Sequence, residues 1–165
     1  MKKFYRLFAT LGAVAVMSGA LGASTAQAED GKVFPGGMCY RLSGGTANYT
    51  SNGRLFNSSA VSTMTVLCPI VRDLTQDPWN TIEVVAIDQH LNQNVTCRGF
   101  SNSRDGGLFG QTAALSTAGN GNAGQVLDLG GGIWEEARGY YFAKCDIPPV
   151  GAAQSGIASY IVVEP

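Results

Sequence analysis

Apolar and polar residues alternate along much of this chain with a period of two, the spacing that puts successive side chains on opposite faces of a β-strand. The alternation predicts strands at residues 61–68, 81–88, 94–100, 140–145 and 156–163. Weaker segments of the same character lie at 38–42, 53–57, 108–116 and 125–129. No long window keeps the helical period of about 3.6 residues, and only 70–77 fits a short helical turn.

The same alternation predicts which side chains form a core. Inward positions are expected at Met64, Val66 and Cys68, at Ile82, Val84 and Ala86, at Val95 and Cys97, at Tyr141, Ala143 and Cys145, and at Ile157, Ile161 and Val163. Val85 and Ile87 point the other way, so the strand at 81–88 is expected to be covered on both faces. Pro69 is expected to end its strand, because proline cannot donate to a sheet ladder.

Short strands separated by Gly, Asn and Pro are typical of layered all-β domains. A chain of 165 residues favours one domain over two. We therefore expect a single all-β domain of about eight strands. Its architecture should be an antiparallel β-sandwich of the jelly-roll or immunoglobulin-like kind.

The first 28 residues have the features of a secretory signal peptide. Lys2, Lys3 and Arg6 form a basic start, residues 11–23 are uncharged and apolar, and Ala26-Gln27-Ala28 fits a cleavage site. The apolar stretch is too short to cross a bilayer, which takes about 20 residues. We expect cleavage near Ala28, a mature domain at 29–165, and a secreted or periplasmic location in a bacterium.

Charge and composition exclude two classes of protein. The chain carries 11 basic and 12 acidic residues, a net charge of −1, and cleavage of the leader would change it to −4. An acidic domain lacks the positive field that attracts phosphate backbones, so no nucleic-acid partner is expected. A hydrophobic content of 45% is too high for a disordered chain.

Export makes disulfides the expected state of the four cysteines, Cys39, Cys68, Cys97 and Cys145. Four cysteines allow three pairings, and spacing alone does not choose among them. We favour Cys39–Cys68 and Cys97–Cys145, the second of which closes a long glycine-rich stretch; the alternative links Cys68 to Cys145. There is no C-x-x-C motif and His90 is the sole histidine, so neither a metal site nor a cofactor is predicted.

Residues 99–139 form a glycine-rich region that holds 11 of the 22 glycines. Within it, 118–124 is a run of Ala, Gly and Asn, which predicts a turn or a mobile loop. Such loops often carry binding function, and exposed aromatic rings stack on sugars. The candidate ligand-binding residues are Trp79, Asn120, Asn122, Trp134 and Tyr140. Core packing is the competing interpretation of the aromatic residues.

Two further groupings carry weaker signals. Asp88 and His90 share one face of a strand, as an acid that orients a general base would, but no nucleophile motif accompanies them. Asp73, Asp77 and Asn80 gather oxygen ligands without the order of a calcium-binding loop. Neither grouping predicts a catalytic residue or a metal ligand.

Three motifs, Met38-Cys39, Cys68-Pro69-Ile70 and Lys144-Cys145, precede a hydrophobic segment at 157–163. In this arrangement the chain resembles small exported proteobacterial proteins of unknown function. The resemblance covers most of the mature domain. It implies a β-sandwich stapled by disulfides, and it implies no activity.

Together these features favour a non-enzymatic, secreted binding or surface-associated module whose ligand is a glycan or other cell-envelope material. No membrane span is expected. One alternative is a self-assembling subunit of an extracellular fibre or layer, since low charge and polar strands suit pairing of edges between copies. A second alternative is a hydrolase that uses Asp88 and His90.

Overall fold

A computed structural model describes residues 30–73, 81–131 and 139–164. The predicted leader, Trp79 and Trp134 lie outside these ranges. The described chain forms one 3-10 turn, Gly36–Met38, and twelve strands. In chain order these are β1 (Asp30–Pro35), β2 (Tyr40–Gly44), β3 (Ala47–Tyr49), β4 (Leu55–Asn57), β5 (Met64–Ile70), β6 (Thr81–Ile87), β7 (Thr96–Asn102), β8 (Leu108–Gln111), β9 (Leu115–Ser116), β10 (Gln125–Asp128), β11 (Tyr140–Ile147) and β12 (Gly156–Glu164).

The strands form two six-stranded antiparallel sheets. Sheet A has the order β10-β6-β12-β4-β3, with β1 paired to β12. Sheet B has the order β2-β5-β11-β7-β8, with β9 paired to β7. This layout confirms the all-β, sandwich-like fold, although the described chain divides into more and shorter strands than the eight expected.

The core lies between the two sheets and follows the predicted alternation closely. Met64, Val66 and Cys68 of β5 are fully buried. The predicted inward residues of the neighbouring strands are buried as well: Ile82, Val84, Ala86, Val95, Cys97, Tyr141, Ala143 and Cys145. The Tyr160 hydroxyl in sheet A donates to the Pro69 carbonyl in sheet B at 2.6 Å, a direct bond between the layers.

Strand β12 corrects one predicted face. Ile161 and Val163 are only half-buried, whereas Tyr160 and Val162 are fully buried beside Ile157. The register against β6 shifts between Ile157 and Ser159, which marks a β-bulge. One extra residue reverses the faces of everything after it, so the strict alternation that aligned Ile157 with Ile161 fails there.

Other strand boundaries also differ from expectation. Pro69 does not end β5, which continues to Ile70. The neighbouring β2 pairs with β5 only as far as Leu67, so the proline lies past that paired edge, where it is tolerated.

Residues 70–73 are extended or irregular rather than helical, and the rest of 70–77 lies outside the described residues. The outer face of β6 is only partly covered, because Val85 is half-buried while Ile87 is buried.

The disulfides pair as favoured, Cys39 with Cys68 and Cys97 with Cys145. The first ties the crossing from sheet A to sheet B, just after the 3-10 turn, to the core strand β5. The second joins directly opposed residues of β7 and β11, whose Cα atoms lie 4.1 Å apart. Two disulfides are compatible with a secreted or periplasmic protein.

Within the described ranges, no helix is both long and apolar enough to cross a membrane.

Candidate ligand-binding site

Outward side chains of two paired strands form a shallow site on sheet B. Strands β7 and β11 place three pairs opposite one another: Thr96 with Asp146, Arg98 with Lys144, and Phe100 with Phe142. The residues between them face the core and are buried. Because side chains alternate along a strand, the pairs form three successive rows on the outer face, about 7 Å apart.

The row at one end is aromatic. The rings of Phe100 and Phe142 stack with centroids 5.0 Å apart and planes within 9° of parallel. Tyr140 lies opposite Asn102 one row further along, and its ring centroid is 6.2 Å from that of Phe142. The three rings of Phe100, Phe142 and Tyr140 together are called the aromatic row. The Tyr140 hydroxyl lies 3.3 Å from the Asn102 side-chain amide, which donates to it. Tyr140 is 47% exposed, so this end of the outer face is an apolar surface open to solvent.

An open trough of about 380 Å³ lies beside this row. Its lining is Thr96, Arg98, Phe100, Gln111, Lys144 and Asp146. The strand register puts Phe100 and Gln111 at one end, Thr96 and Asp146 at the other, and the two cations between them. One ligand-sized space therefore combines an aromatic ring, hydrogen-bonding groups and positive charge.

The trough holds two cations and one carboxylate, so it carries a net positive charge. In the parts of the chain that the structure describes, neither Arg98 nor Lys144 forms an ion pair. The carboxylate of Asp146 accepts a hydrogen bond from the Thr65 hydroxyl at 2.6 Å. Two like charges directly opposite each other destabilise a sheet, so this pair costs the fold free energy that an anionic ligand would offset.

A tight turn between β7 and β8 fixes the strands near the aromatic row. The backbone N–H of Ser103 donates to the Gly107 carbonyl at 2.8 Å, and Gly106 takes a φ of 92°, which favours glycine. The Ser103 hydroxyl bonds the Asp105 carboxylate. That bond, followed by the Gly107 backbone, holds the pKa of Asp105 below its usual range.

A second depression, of about 240 Å³, lies at the 118–124 loop. It is lined by Gln89, Asn120, Gly121, Asn122, Ala152 and Ala153. The side chain of Gln125 accepts from the Ala118 N–H at 2.8 Å and donates to the Gly119 carbonyl at 3.2 Å. These bonds make the segment a hydrogen-bonded turn, which was one of the two predicted possibilities.

The structure separates the predicted ligand residues that it describes. Tyr140 opens β11 and belongs to the aromatic row. Asn120 and Asn122 border the segment around Ala152, which follows the far end of β11. That strand spans about 23 Å, so the asparagines and the tyrosine do not share one site. Trp79 and Trp134 lie outside the described residues.

Besides Gln111 and Asp146, five residues of the trough and its aromatic row were not singled out from the sequence as binding residues: Thr96, Arg98, Phe100, Phe142 and Lys144. Their signal was the outward half of the alternation in the predicted strands at 94–100 and 140–145. The sequence does not show the register between β7 and β11. That register places the two phenylalanine rings opposite each other and the two cations opposite each other.

The geometry of Asp88 and His90 does not match that of a catalytic pair. The buried Asp88 carboxylate accepts from the backbone N–H of His90 at 3.0 Å, and also from the hydroxyls of Thr117 and Ser155. The Nδ1 atom of His90 accepts the backbone N–H groups of Asn92 and Gln93 at 3.1 and 3.0 Å. The carboxylate thus orients backbone and hydroxyl groups, not the imidazole.

Across the described residues, no cluster of three or more His, Cys, Asp or Glu side chains is placed to hold a metal ion.

Comparison with known proteins gives one structural likeness to report. No family model matches the chain, and no curated protein sequence matches it. A solved structure of a family two carbohydrate esterase from Cellvibrio japonicus is similar to this chain, with a TM-score of 0.48 and 6% sequence identity. The similarity covers 83% of this chain and 34% of the esterase chain, so this chain spans about a third of that protein's length. The likeness indicates no activity for the present chain.

Proposed function

We propose that this protein is a non-enzymatic, extracytoplasmic module that binds a glycan on the outer face of sheet B. The observation that carries the proposal is the trough, where the ring of Phe100 lies beside Gln111, Thr96 and Asp146. A sugar has an apolar C–H face and a rim of hydroxyl groups. Its recognition therefore calls for a ring to stack on and hydrogen-bonding side chains around that ring.

The open shape of the trough favours a polymer over an isolated small molecule. Pockets for small ligands bury about 70–90% of the ligand surface, and a trough on a sheet face buries less. A glycan chain lying across the sheet would contact the trough with one sugar unit. Its next unit would meet the stacked rings of Phe142 and Tyr140, which extend the same surface.

A disulfide on the core side of the two trough strands favours a rigid binding surface. Cys97 lies between Thr96 and Arg98 on β7, and Cys145 lies between Lys144 and Asp146 on β11. Their disulfide fixes the two strands that carry the trough from the core side. A site whose side chains stand on a fixed backbone loses less conformational entropy when a ligand binds, which raises its affinity.

The test is glycan-array screening of the wild-type protein, followed by calorimetry with the polymers that bind. Phe100→Ala should weaken binding about tenfold, the loss expected when one ring that stacks on a sugar is removed. Tyr49→Ala is the matched control, because Tyr49 is 52% exposed but lies in sheet A. An array without any bound glycan, or equal losses in the two variants, would contradict the proposal.

A second function, self-assembly, is favoured by the exposed edge of sheet B. Leu108 and Phe109 of β8 are 60% and 46% exposed, and β8 pairs only with β7 in the described structure. An edge strand with large apolar side chains is a template for pairing with another chain. Light scattering that shows a monodisperse monomer at high concentration would remove this alternative.

A further inference from the structure

We propose that the sugar recognised in the trough is anionic, with its negative group held between Arg98 and Lys144. This inference rests on the proposed glycan-binding function and adds the chemical class of the ligand. A uronic acid is the simplest sugar of this kind, because it carries a carboxylate on the same ring that offers an apolar face.

The two cations of the trough lie side by side on neighbouring strands. Arg98 and Lys144 are opposed across the β7–β11 pair, and no ion pair within the described residues neutralises either of them. The chain as a whole is acidic, with a net charge of −1. Two unpaired cations side by side on an acidic protein are therefore a local feature of this face and do not follow from its overall charge.

Aromatic and polar side chains of the trough flank the two cations on both sides. Phe100 and Gln111 lie in the row on one side of them, and Thr96 and Asp146 in the row on the other. A ring stacked against Phe100 would direct an attached carboxylate toward the cation row. The planar guanidinium of Arg98 offers paired donors that match a carboxylate, and Lys144 adds a compact positive charge.

The other cations that the structure describes either have partners within the fold or lie alone in turns. Lys32 is bound to Asp73 and Glu164 at 3.0 and 2.5 Å, and Arg72 lies 3.5 Å from Glu164. Arg41 donates to the carbonyls of Gly44 and Gly45. These three cations have partners within the fold, whereas Arg54 and Arg104 are exposed and form no ion pair in the described structure, each alone in a turn. Among the described cations, only Arg98 and Lys144 lie opposite each other on paired strands, beside an aromatic ring.

The experiment compares three polymers by calorimetry with the intact protein. Polygalacturonate carries both sugar and charge, its fully methyl-esterified form carries the same sugar without charge, and polyglutamate carries charge without sugar. We expect binding to polygalacturonate that weakens as salt is added, and binding to the ester at least tenfold weaker. A comparison of dextran sulfate with dextran in the same calorimetric experiment shows whether a sulfate group can replace the carboxylate.

Substitutions of the two trough cations test whether the trough is where polygalacturonate binds. Arg98→Gln and Lys144→Gln should each weaken binding to polygalacturonate about tenfold, the loss of one charge-assisted contact. Arg54→Gln is the control, since Arg54 is an exposed arginine in the turn before β4 in sheet A. Thermal unfolding should show all three variants to be as stable as the wild type, or slightly more stable where the like-charge pair is relieved.

The outcomes separate the two proposals. Equal binding of polygalacturonate and its ester, both lost in Phe100→Ala, would overturn the anionic ligand and leave glycan binding intact. Equal binding of polyglutamate and polygalacturonate would show that charge alone is recognised, and would overturn glycan binding. Binding of none of the charged polymers, or losses in Arg54→Gln as large as in the trough variants, would overturn the anionic inference.

Discussion

At the scale of single residues, a few buried polar side chains hold the ends of the sandwich together. Asn57 is fully buried; its side-chain amide donates to the carbonyls of Ser62, Ile147 and Pro148, and its side-chain oxygen accepts from two backbone N–H groups. Just after β6, the buried Asp88 carboxylate likewise accepts hydrogen bonds from the His90 backbone N–H and the Ser155 hydroxyl. A buried polar group without partners costs about 1–3 kcal/mol, so these bonds specify how the loops close over the core.

Tyr160 makes a prediction about alkaline pH. Burial raises the pKa of Tyr160 to about 12, compared with about 10 in an unfolded chain. The stability it contributes is therefore complete below pH 10 and is lost as the pH rises through about 12, a loss on the order of 3 kcal/mol at most. Phenolate absorbance should show one tyrosine that ionises last, and Tyr160→Phe should remove that last step.

Deprotonation of Lys32 also lowers the stability of the fold at high pH, so its effect must be distinguished from that of Tyr160. Burial works to lower the pKa of Lys32, but hydrogen bonds and charges from Glu164 and Asp73 outweigh it and raise the pKa. Its contribution to stability is also lost at high pH, but it leaves no phenolate signal. If the phenolate titration of Tyr160→Phe matched that of the wild type at high pH, the buried position of Tyr160 would be contradicted.

At the scale of elements, the alternation in the sequence predicted β5, β6, β7 and β11 together with their buried faces. These strands lie inside a sheet, so one face is consistently apolar and the pattern is clear. Strands β1 and β3 were not predicted. β3 has only three residues, and its Tyr49 is exposed. In β1 the apolar Val33 is exposed while its neighbour Lys32 is half-buried, which breaks the alternation.

The bulge in β12 gives the sharpest test at this scale. Val162 is fully buried and its neighbour Val163 is only half-buried, the reverse of what unbroken alternation predicts. Val162→Ala should cost about 2 kcal/mol of unfolding free energy, from two lost methyl groups and the cavity they leave. Val163→Ala should cost less than about 1 kcal/mol. Denaturant unfolding measures both, and the opposite ranking would contradict the register after the bulge.

The candidate site shows why elements are easier to predict than sites. Tyr140 was expected from the sequence and does lie on the aromatic row. Phe100 and Arg98 become recognisable as site residues only when β7 pairs with β11, because that pairing decides which residue of β11 lies opposite each of them. Pairing over more than 40 residues of chain depends on tertiary packing, which the alternation of a single segment does not encode.

At the scale of the whole molecule, the two disulfides have different expected roles. Each closes a loop whose entropy is worth about 4 kcal/mol in the unfolded chain. Replacing either pair by alanine should therefore lower stability by up to that amount. Only the Cys97–Cys145 bond lies beneath the trough, so the double variant Cys97→Ala with Cys145→Ala should also weaken glycan binding several-fold.

The other disulfide provides the matched control. The double variant Cys39→Ala with Cys68→Ala removes a bond that ties the crossing between the sheets to β5. Cys68 lies opposite Ala143 of β11, but this bond does not link β11 to β7. This double variant should lose comparable stability in urea while its glycan affinity stays at the wild-type value. Equal affinity losses in the two double variants would show that the Cys97–Cys145 bond has no specific role in holding the binding surface.

The most direct test of the central claim is an NMR titration of the protein with galacturonate oligosaccharides, followed through backbone amide shifts. We predict that the largest changes fall on β7 and β11, at residues 96–100 and 142–146, with smaller changes around Tyr140. Residues 118–124 and 150–155 should remain unchanged. Shifts concentrated at 118–124, or no shifts at all, would contradict a glycan site on the outer face of sheet B.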